Sequence, residues 1–247
     1  MMSKLDWQRA TVTAIHAETP RVKTFTLSLP HWTPHLPGQH YTLRLTAPDG
    51  YQAERSYSVA SPPEQPDEIE LTVEAVEEGE VSGYLFEGVE VDDELEVRGP
   101  IGGYFVWRAT ATARPLLLVA GGSGVVPLMA MLRHRQRAML RNPTVLLFSI
   151  RTPEEVIYRQ ELEAMTASDP TFTLLLDYTR QAPDGWSGYH RRIDTALLTE
   201  VVKRFAAAPE CYVCGPTGLV ESVATGLQNL GLPAEDIRTE RFGPTGG

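Results

Sequence analysis

The sequence predicts a two-domain fold: an N-terminal antiparallel β-barrel, followed by an α/β domain built on a doubly wound parallel five-stranded sheet. Two observations predict it. Short alternating segments with frequent turn residues fill the first half, as in β-barrels and sandwiches. Beyond residue 115, continuous apolar strands alternate with helical patterns, which favours a parallel sheet between helices. The composition shifts at residues 110–115, so we expect a linker there and domains at residues 1–111 and 112–247.

The elements of the first half follow from alternation and turn signals. The strand-like runs cover residues 10–30 with a turn at Thr19-Pro20-Arg21, residues 37–51 with a turn at Pro48-Asp49-Gly50, residues 55–63, residues 67–76 and residues 91–107. One short helix is predicted at Ser82-Gly83-Tyr84-Leu85, ending near Gly88. Strands that are this short and this regularly separated are typical of an all-β domain.

In the second half, the strands are continuous apolar runs and the helices have start signals. Thr152-Pro153-Glu154-Glu155 reads as a capping box, and Asp194 as the cap of a helix through Leu197, Val201 and Phe205. A further helix is expected from Thr217 to Leu230, closed by Gly231. The predicted strands are residues 116–120, 144–150, 172–178, 211–215 and 237–242.

A glycine turn follows the first of these strands. Gly121, Gly122 and Gly124 separate residues 116–120 from a helix that begins near Val125. Glycines allow a tight turn and let backbone N–H groups approach an anion at the helix N-terminus. The turn is therefore a candidate phosphate cradle, although an ordinary strand-to-helix turn has the same pattern.

Composition and charge limit the classes of function. The net charge of −10, without a basic stripe, argues against nucleic-acid binding. No apolar run is long enough to span a membrane, and the first residues contain no apolar signal region, so a cytoplasmic protein is expected. Cys211 and Cys214 lie three apart in a predicted strand, face opposite sides and have no further cysteine or histidine cluster beside them, so we predict no metal site.

Several local patterns, in the same order along nearly the whole chain, resemble the ferredoxin–NADP reductase family. Arg55-Ser56-Tyr57-Ser58 is similar to its flavin-binding Arg-x-Tyr-Ser motif, and residues 121–127 resemble its Gly-Gly-x-Gly-x-x-Pro turn. Cys214-Gly215-Pro216 resembles its Cys-Gly-Pro motif, while residues 37–39 and 99–105 also fit. Any single match is weak, but together they identify the chain as a candidate member.

The resemblance implies FAD as the cofactor of the barrel. By this resemblance, Arg55 pairs with the flavin pyrophosphate, Tyr57 lies flat on the ring system and Ser58 hydrogen-bonds the nitrogen that accepts hydride. Gly79, Val81 and Ser82 resemble the second pyrophosphate contact, at the start of the short helix. The alternatives are a solvent-facing strand at Arg55–Ser58 and a simple N-cap serine at Ser82.

The resemblance also implies a nicotinamide site in the second domain. Gly121, Gly122 and Gly124 would hold the coenzyme pyrophosphate, and Cys214, followed by Gly215 and Pro216, would stand near the nicotinamide carbon. The alternative for Cys214 is a small apolar filler at a strand end. Glu240 resembles the family's catalytic carboxylate and Phe242 the aromatic ring over the flavin, but Phe242 is followed here by five further residues, Gly243-Pro244-Thr245-Gly246-Gly247.

Arginines that follow two strands favour NADPH over NADH as the hydride donor, with NADH still possible. Arg151 ends one strand, Arg180 follows the next, and Arg191 or Arg192 comes a few residues later. In NADPH-using relatives, basic residues at similar places bind the phosphate on the adenosine ribose, and guanidinium groups suit a dianion. The alternative is solvated surface arginine.

The activity implied is hydride transfer from NAD(P)H to FAD, followed by single-electron transfer to a separate acceptor such as a ferredoxin, a flavodoxin or an oxygenase component. A fused plant-type iron–sulfur domain needs four cysteines, and this chain has two. The alternatives are a free-flavin reductase and a non-catalytic electron-transfer subunit. Basic residues 133, 135, 137 and 141 could attract an acidic carrier, or form a solvated helix face.

Overall fold

In the computed structural model, which describes residues 5–110 and 114–242, the chain forms two compact units. The first comprises Met1–Arg108 with Met129–Ala138, and the second Ala109–Leu128 with Met139–Gly247. The predicted domain boundary between residues 111 and 112 lies outside the described residues, so it stays a prediction. Within the described ranges, no helix is both long and apolar enough to cross a lipid bilayer.

Residues 5–108, the described part of the barrel, contain six strands and one helix. They are β1 (Gln8–Thr19), β2 (Val22–Ser28), β3 (His40–Thr46), β4 (Gln52–Ser58), β5 (Glu68–Glu74), α1 (Glu80–Glu87) and β6 (Glu94–Ile101). The strands form one antiparallel sheet in the order β4-β3-β6-β1-β2-β5. Helix α1 ends at Gly88, as predicted, and its N-cap is Gly79.

The two edge strands of this sheet meet, which closes it into the predicted barrel. Just beyond β4, Val59 forms an antiparallel bridge to Leu71 of β5. The next N–H, that of Ala60, donates to the carbonyl oxygen of Glu70 at 2.8 Å. Closure removes the exposed edges that an open sheet would leave. Inside, Tyr41 packs its ring over Gly99, where an added Cβ would lie 2.5 Å from the ring.

The second unit is the predicted α/β domain. Its strands are β7 (Leu116–Gly121), β8 (Thr144–Ile150), β9 (Phe172–Tyr178), β10 (Glu210–Pro216) and β11 (Ile237–Phe242), all parallel and ordered β11-β10-β7-β8-β9. The chain runs outward from β7 to β9 and returns on the other side at β10. The sheet is therefore doubly wound, and its topological switch point lies between β7 and β10, where such sheets bind ligands.

Four helices connect these strands: α2 (Val125–Arg137), α3 (Arg159–Ser168), α4 (Thr195–Val202) and α5 (Thr217–Asn229). The predicted cap of α4 is confirmed, since the Asp194 carboxylate accepts from the Leu197 N–H at 2.8 Å. The prediction that a capping box at Thr152 begins a helix is wrong. Residues Pro153–Glu155 form a single 3₁₀ turn, and α3 begins only at Arg159, because Tyr158 takes the left-handed conformation (φ 57°).

The prediction that helix α2 has an exposed basic face is wrong for Arg133 and Arg135. From Met129 onward its residues belong to the first unit, where the Arg133 guanidinium contacts the Glu70 carboxylate at 2.6 Å and the Ala60 carbonyl oxygen at 2.9 Å. Arg135 is 3 % exposed. Two of the four basic residues, Arg133 and Arg135, are thus largely buried and do not form a surface for an acidic carrier or for solvent.

Candidate functional site

The Arg-x-Tyr-Ser segment ends strand β4 and offers three different side chains. Arg55 is exposed and donates to the Glu54 carbonyl oxygen at 2.7 Å. Tyr57 is half-buried and packs against the barrel core; burial raises the pKa of its hydroxyl to about 12. Ser58 is buried. The segment therefore presents an exposed cation, a neutral aromatic ring and a buried hydroxyl within four residues.

Strand β3 pairs with this segment and adds a residue that the sequence analysis missed. Tyr41 is the cross-strand partner of Tyr57, and His40 that of Ser58. Antiparallel partners carry their side chains on the same face of the sheet. His40 directly follows the Pro37-Gly38-Gln39 motif, and this adjacency was the only signal for it; its neighbour Ser58 becomes visible only through strand pairing.

The start of helix α1 is the second predicted phosphate contact, and Ser82 has a different local role there. Its hydroxyl accepts from the Val76 N–H at 3.3 Å and donates to the Gly79 carbonyl oxygen at 3.4 Å. Ser82 thus fixes the turn before the helix and is not the N-cap serine of the alternative interpretation. Glycine at position 79 leaves room for this hydroxyl, because an added Cβ there would lie 2.3 Å from the Ser82 hydroxyl oxygen. Val81 belongs to the first turn of the helix. The N–H groups of a first turn have no hydrogen-bond acceptor within the helix itself.

In the second unit, the two predicted coenzyme motifs contact each other at the switch point of the sheet. A Cβ on Gly124 would lie 2.2 Å from the Cys214 carbonyl oxygen, and a Cβ on Gly121 would lie 2.9 Å from the Pro216 ring. A Cβ on Gly215 (φ 151°) would lie 3.0 Å from the Gly121 backbone. Only glycine allows these approaches. An added Cβ on Gly122 (φ 54°) would meet no atom within 4 Å.

The cysteine of the Cys-Gly-Pro motif is a buried, neutral thiol. Burial raises the pKa of Cys214 well above its ordinary value, and the nearby Glu240 carboxylate raises it further. Glu240 is the β11 partner of Cys214, and Phe242 is the partner of Pro216. Burial also raises the pKa of Cys211 to about 12, and both thiols are free. The five residues after Phe242 lie outside the described residues.

The arginines beyond β8 and β9 divide into two kinds. Arg151 donates from Nε to Glu155 at 2.9 Å, and Arg191 contacts Glu200 at 3.3 Å. Arg180 and Arg192 are exposed, and neither guanidinium has an ion-pair partner in the part of the chain that the structure describes. Of the two alternatives left open by the sequence, Arg192 is therefore the one available to a ligand.

A network at the end of β9 holds these arginines in place. The buried Asp177 carboxylate accepts from the Ser149 hydroxyl and from the Arg191 N–H, both at 3.1 Å. Burial, the larger effect, raises the pKa of Asp177, whereas these two hydrogen bonds lower it. The N–H of Arg180 donates to the Arg151 carbonyl oxygen at 3.0 Å. The backbone that carries the free guanidinium groups is thus tied to the ends of β8 and β9.

Two family models match the chain in the order in which the units occur. The oxidoreductase FAD-binding domain matches residues 9–106, and the oxidoreductase NAD-binding domain matches residues 118–225. The first match covers the barrel with the Arg-x-Tyr-Ser segment and helix α1. The second covers the glycine turn, the arginines and the Cys-Gly-Pro motif.

The relatives include reductase components of oxygenases. The chain is 33% identical over 211 residues to the glycine betaine monooxygenase reductase subunit of Chromohalobacter salexigens, covering 85% of this chain and 56% of that protein. It is 32% identical over 238 residues to the reductase component DmpP of phenol 2-monooxygenase from Pseudomonas sp. CF600, covering 95% of this chain and 65% of that protein. The chain thus spans about half to two thirds of the length of these relatives.

A solved structure shows the same fold. The FAD/NAD-binding domain of nitric oxide dioxygenase from Vibrio cholerae superposes with a TM-score of 0.84 at 23% identity, covering 96% of this chain and 99% of that one. The order of an FAD-binding barrel and an NAD-binding α/β domain, the motifs and these relatives agree. The chain belongs to the ferredoxin–NADP reductase family of flavin-dependent oxidoreductases, here without a fused iron–sulfur domain in the residues that the structure describes.

Proposed function

We propose that this chain takes hydride from NADPH onto FAD and delivers the electrons singly to a separate acceptor protein. The observation that carries the proposal is the contact between the glycine turn and the Cys-Gly-Pro motif, which brings together residues about 90 positions apart. The family models supply the cofactor classes, FAD and a nicotinamide nucleotide.

The barrel's own residues fit FAD. Tyr57 offers a neutral, half-buried ring for one face of the flavin, and Ser58 offers a hydroxyl beside it. Arg55 is exposed and has no acidic partner among the described residues, so its guanidinium is available to a pyrophosphate. The first turn of α1, with Gly79, Val81 and Ser82, would contribute backbone N–H groups to the same anion. Bound FAD would supply the conversion of one hydride into two single electrons.

The second unit's residues fit a dinucleotide. Gly121, Gly122 and Gly124 would bring backbone N–H groups to the pyrophosphate at the N-terminus of α2. Cys214 would pack its neutral thiol against the nicotinamide, since a buried thiol with a raised pKa adds no charge there. Gly215 and Pro216 shape the turn behind it. Glu240 would support this site from β11, and Phe242, which the resemblance assigns to the flavin, ends the same strand.

The coenzyme preference depends on the arginines. Arg180 and Arg192 have no acidic partner among the described residues and would hold the phosphate on the adenosine ribose of NADPH. Arg151 already pairs with Glu155, so its contribution requires that this exposed ion pair be exchanged. Exposed pairs are weak, typically below about 1 kcal/mol, so such an exchange has a small cost.

We propose an oxygenase component or a ferredoxin as the acceptor. The support is that relatives above 30% identity are the reductase partners of a glycine betaine monooxygenase and of a phenol 2-monooxygenase. The two alternative functions remain distinct: a free-flavin reductase would release its flavin, and a non-catalytic subunit would not oxidise NAD(P)H. The cytoplasm remains the proposed location, which rests on sequence alone.

Anaerobic mixing tests the proposal. The purified protein loaded with FAD is mixed with NADPH and, separately, with NADH, and the absorbance of the flavin is followed. We expect rapid bleaching with NADPH and slower bleaching with NADH. If the protein binds FAD but neither coenzyme bleaches the flavin, the chain is the non-catalytic subunit. FAD that dissociates after each turnover would indicate the free-flavin reductase.

A further inference from the structure

The chain that follows the Arg-x-Tyr-Ser segment crosses from one neighbouring strand to another. Ser58 is the last residue of β4, and the next N–H, that of Val59, donates to the Gln39 carbonyl oxygen at 2.9 Å, beside the start of β3. One residue later, the Ala60 N–H donates to the Glu70 carbonyl oxygen of β5 at 2.8 Å. Ala60 is completely buried, so its own carbonyl oxygen also needs a donor from within the protein.

Arg133 of helix α2 supplies that donor. Its Nη1 donates to the Ala60 carbonyl oxygen at 2.9 Å and to the Glu70 carboxylate at 2.6 Å. The arginine thus contacts both residues that the crossing joins. The Arg133 and Glu70 side chains are largely covered, and hydrogen bonds from a charged donor are stronger in such surroundings than in water. The guanidinium therefore fixes the position of Ala60, two residues beyond Ser58.

Two further side chains hold the chain just beyond Ala60. His35 donates from Nε2 to the Ser61 carbonyl oxygen at 2.9 Å, and the imidazole of His134 contacts the Glu64 carboxylate. Neither contact involves Ala60, so neither replaces the guanidinium there. Because both keep this stretch attached to the barrel unit, we expect the unit to fold when the Arg133 guanidinium is removed, although with lower stability.

We propose that Arg133 is a positioning residue for the flavin, which holds the end of β4 so that Tyr57 and Ser58 have their binding geometry before FAD arrives. The proposal rests on the proposed function, which assigns these two side chains to the flavin. A site whose residues are already held in place binds its ligand more tightly, because less conformational freedom is lost on binding. Arg133 acts here through the backbone between Ser58 and Ala60 and does not contact the cofactor.

The test compares Arg133→Met with a matched control, Arg137→Met, which removes an exposed arginine from the same helix. Each protein is prepared without flavin and titrated with FAD, and the dissociation constant and the visible circular dichroism of the bound FAD are recorded. We expect Arg133→Met to bind FAD about tenfold more weakly, the usual size of effect when a hydrogen bond from a charged donor is lost. The dichroism bands of its bound flavin should also differ from those of the parent. The control should match the parent in both measurements.

A double variant separates positioning from stability. Glu70→Leu/Arg133→Met removes both charges, so neither is left buried without its partner, but the Ala60 carbonyl oxygen still lacks the guanidinium. Positioning predicts that the double variant is more stable than Arg133→Met in thermal unfolding and keeps its weak FAD binding and altered dichroism. A role in stability alone predicts that FAD binding recovers together with stability.

The failures are distinguishable. If Arg133→Met binds FAD as tightly as the parent and with the same dichroism, the positioning role is wrong and the proposed function stands. Recovery of FAD affinity in the double variant would equally overturn the positioning role. If the parent binds FAD but is reduced by neither NADPH nor NADH, the proposed function fails, while the comparison of FAD affinities still decides the role of Arg133. If the parent binds no FAD, both proposals fail.

Discussion

The α-carbon of Gly124 faces the carbonyl oxygen of Cys214 so closely that an added Cβ would lie 2.2 Å from it. Two strands that are adjacent in the sheet, β7 and β10, bring these residues together although they are far apart in sequence. Both contacting groups are backbone atoms, so no side-chain rotation can relieve the collision. The contact couples the shape of the glycine turn to the position of the Cys-Gly-Pro motif.

Gly124→Ala should therefore destabilise the second unit and weaken coenzyme binding. We expect a loss of about 1–3 kcal/mol in the free energy of unfolding, the usual effect of overpacking, and a lower rate of flavin reduction by both NADPH and NADH. Thermal unfolding and anaerobic reduction measure the two effects. Gly218→Ala in α5 is the matched control: its Cβ meets nothing within 4 Å. Equal behaviour of the two variants would contradict the role given to the contact.

Arg180→Ala and Arg192→Ala should change coenzyme preference. Each variant removes a charge-assisted hydrogen bond to a phosphate that NADPH has and NADH lacks, worth about 1.5–3 kcal/mol or roughly tenfold or more in binding. Binding of NADPH and NADH by titration calorimetry measures the difference. Arg191→Ala serves as the control, because Arg191 is paired with Glu200. Equal losses for both coenzymes in the two test variants would reject the assignment.

The parallel sheet could be predicted closely from sequence, for a physical reason. Strand β8 is buried along its whole length, and such a strand must be a continuous apolar run, which is visible without knowing its neighbours. The glycine turn and the Cys-Gly-Pro motif were also visible as patterns. Their contact was not, because it depends on which strands are adjacent.

Two of the errors arose because they depend on a residue of another element, and one has a local backbone cause. Arg133 looked like surface charge, but Glu70 of another element pairs with it. Thr152 had the residues of a capping box, but α3 begins only at Arg159, because Tyr158 takes the left-handed conformation. His40 was missed because its pairing with Ser58 on the neighbouring strand is not visible in the sequence.

The Arg133–Glu70 ion pair should behave as a buried pair within the first unit. Its atoms are 2.6 Å apart, and both side chains are largely covered. Glu70→Leu leaves the Arg133 charge without its carboxylate and should lower the free energy of unfolding by about 3 kcal/mol or more. The double variant Glu70→Leu/Arg133→Met removes both charges and should recover most of that loss. Chemical denaturation measures both, and a double variant less stable than Glu70→Leu would contradict this account.

His35 should make the stability of the barrel unit sensitive to acid. It is 1 % exposed, its Nε2–H donates to the Ser61 carbonyl oxygen at 2.9 Å, and its Nδ1 is buried without a partner. Burial, the largest effect, lowers its pKa below 6.5, although the hydrogen bond to Ser61 and the carboxylate of Glu64 raise it. The unfolded chain therefore binds this proton more readily, so the contribution to stability is complete above pH 6.5 and is lost as the pH falls below it.

His35→Gln keeps a donor for Ser61 but cannot titrate, and its unfolding free energy should fall less steeply between pH 6.5 and pH 5 than that of the parent. Urea denaturation across this range measures the two slopes, with His16→Gln as the exposed control. Parallel slopes for His35→Gln and the parent would show that the folded and the unfolded chain bind the His35 proton equally well, which would contradict this account.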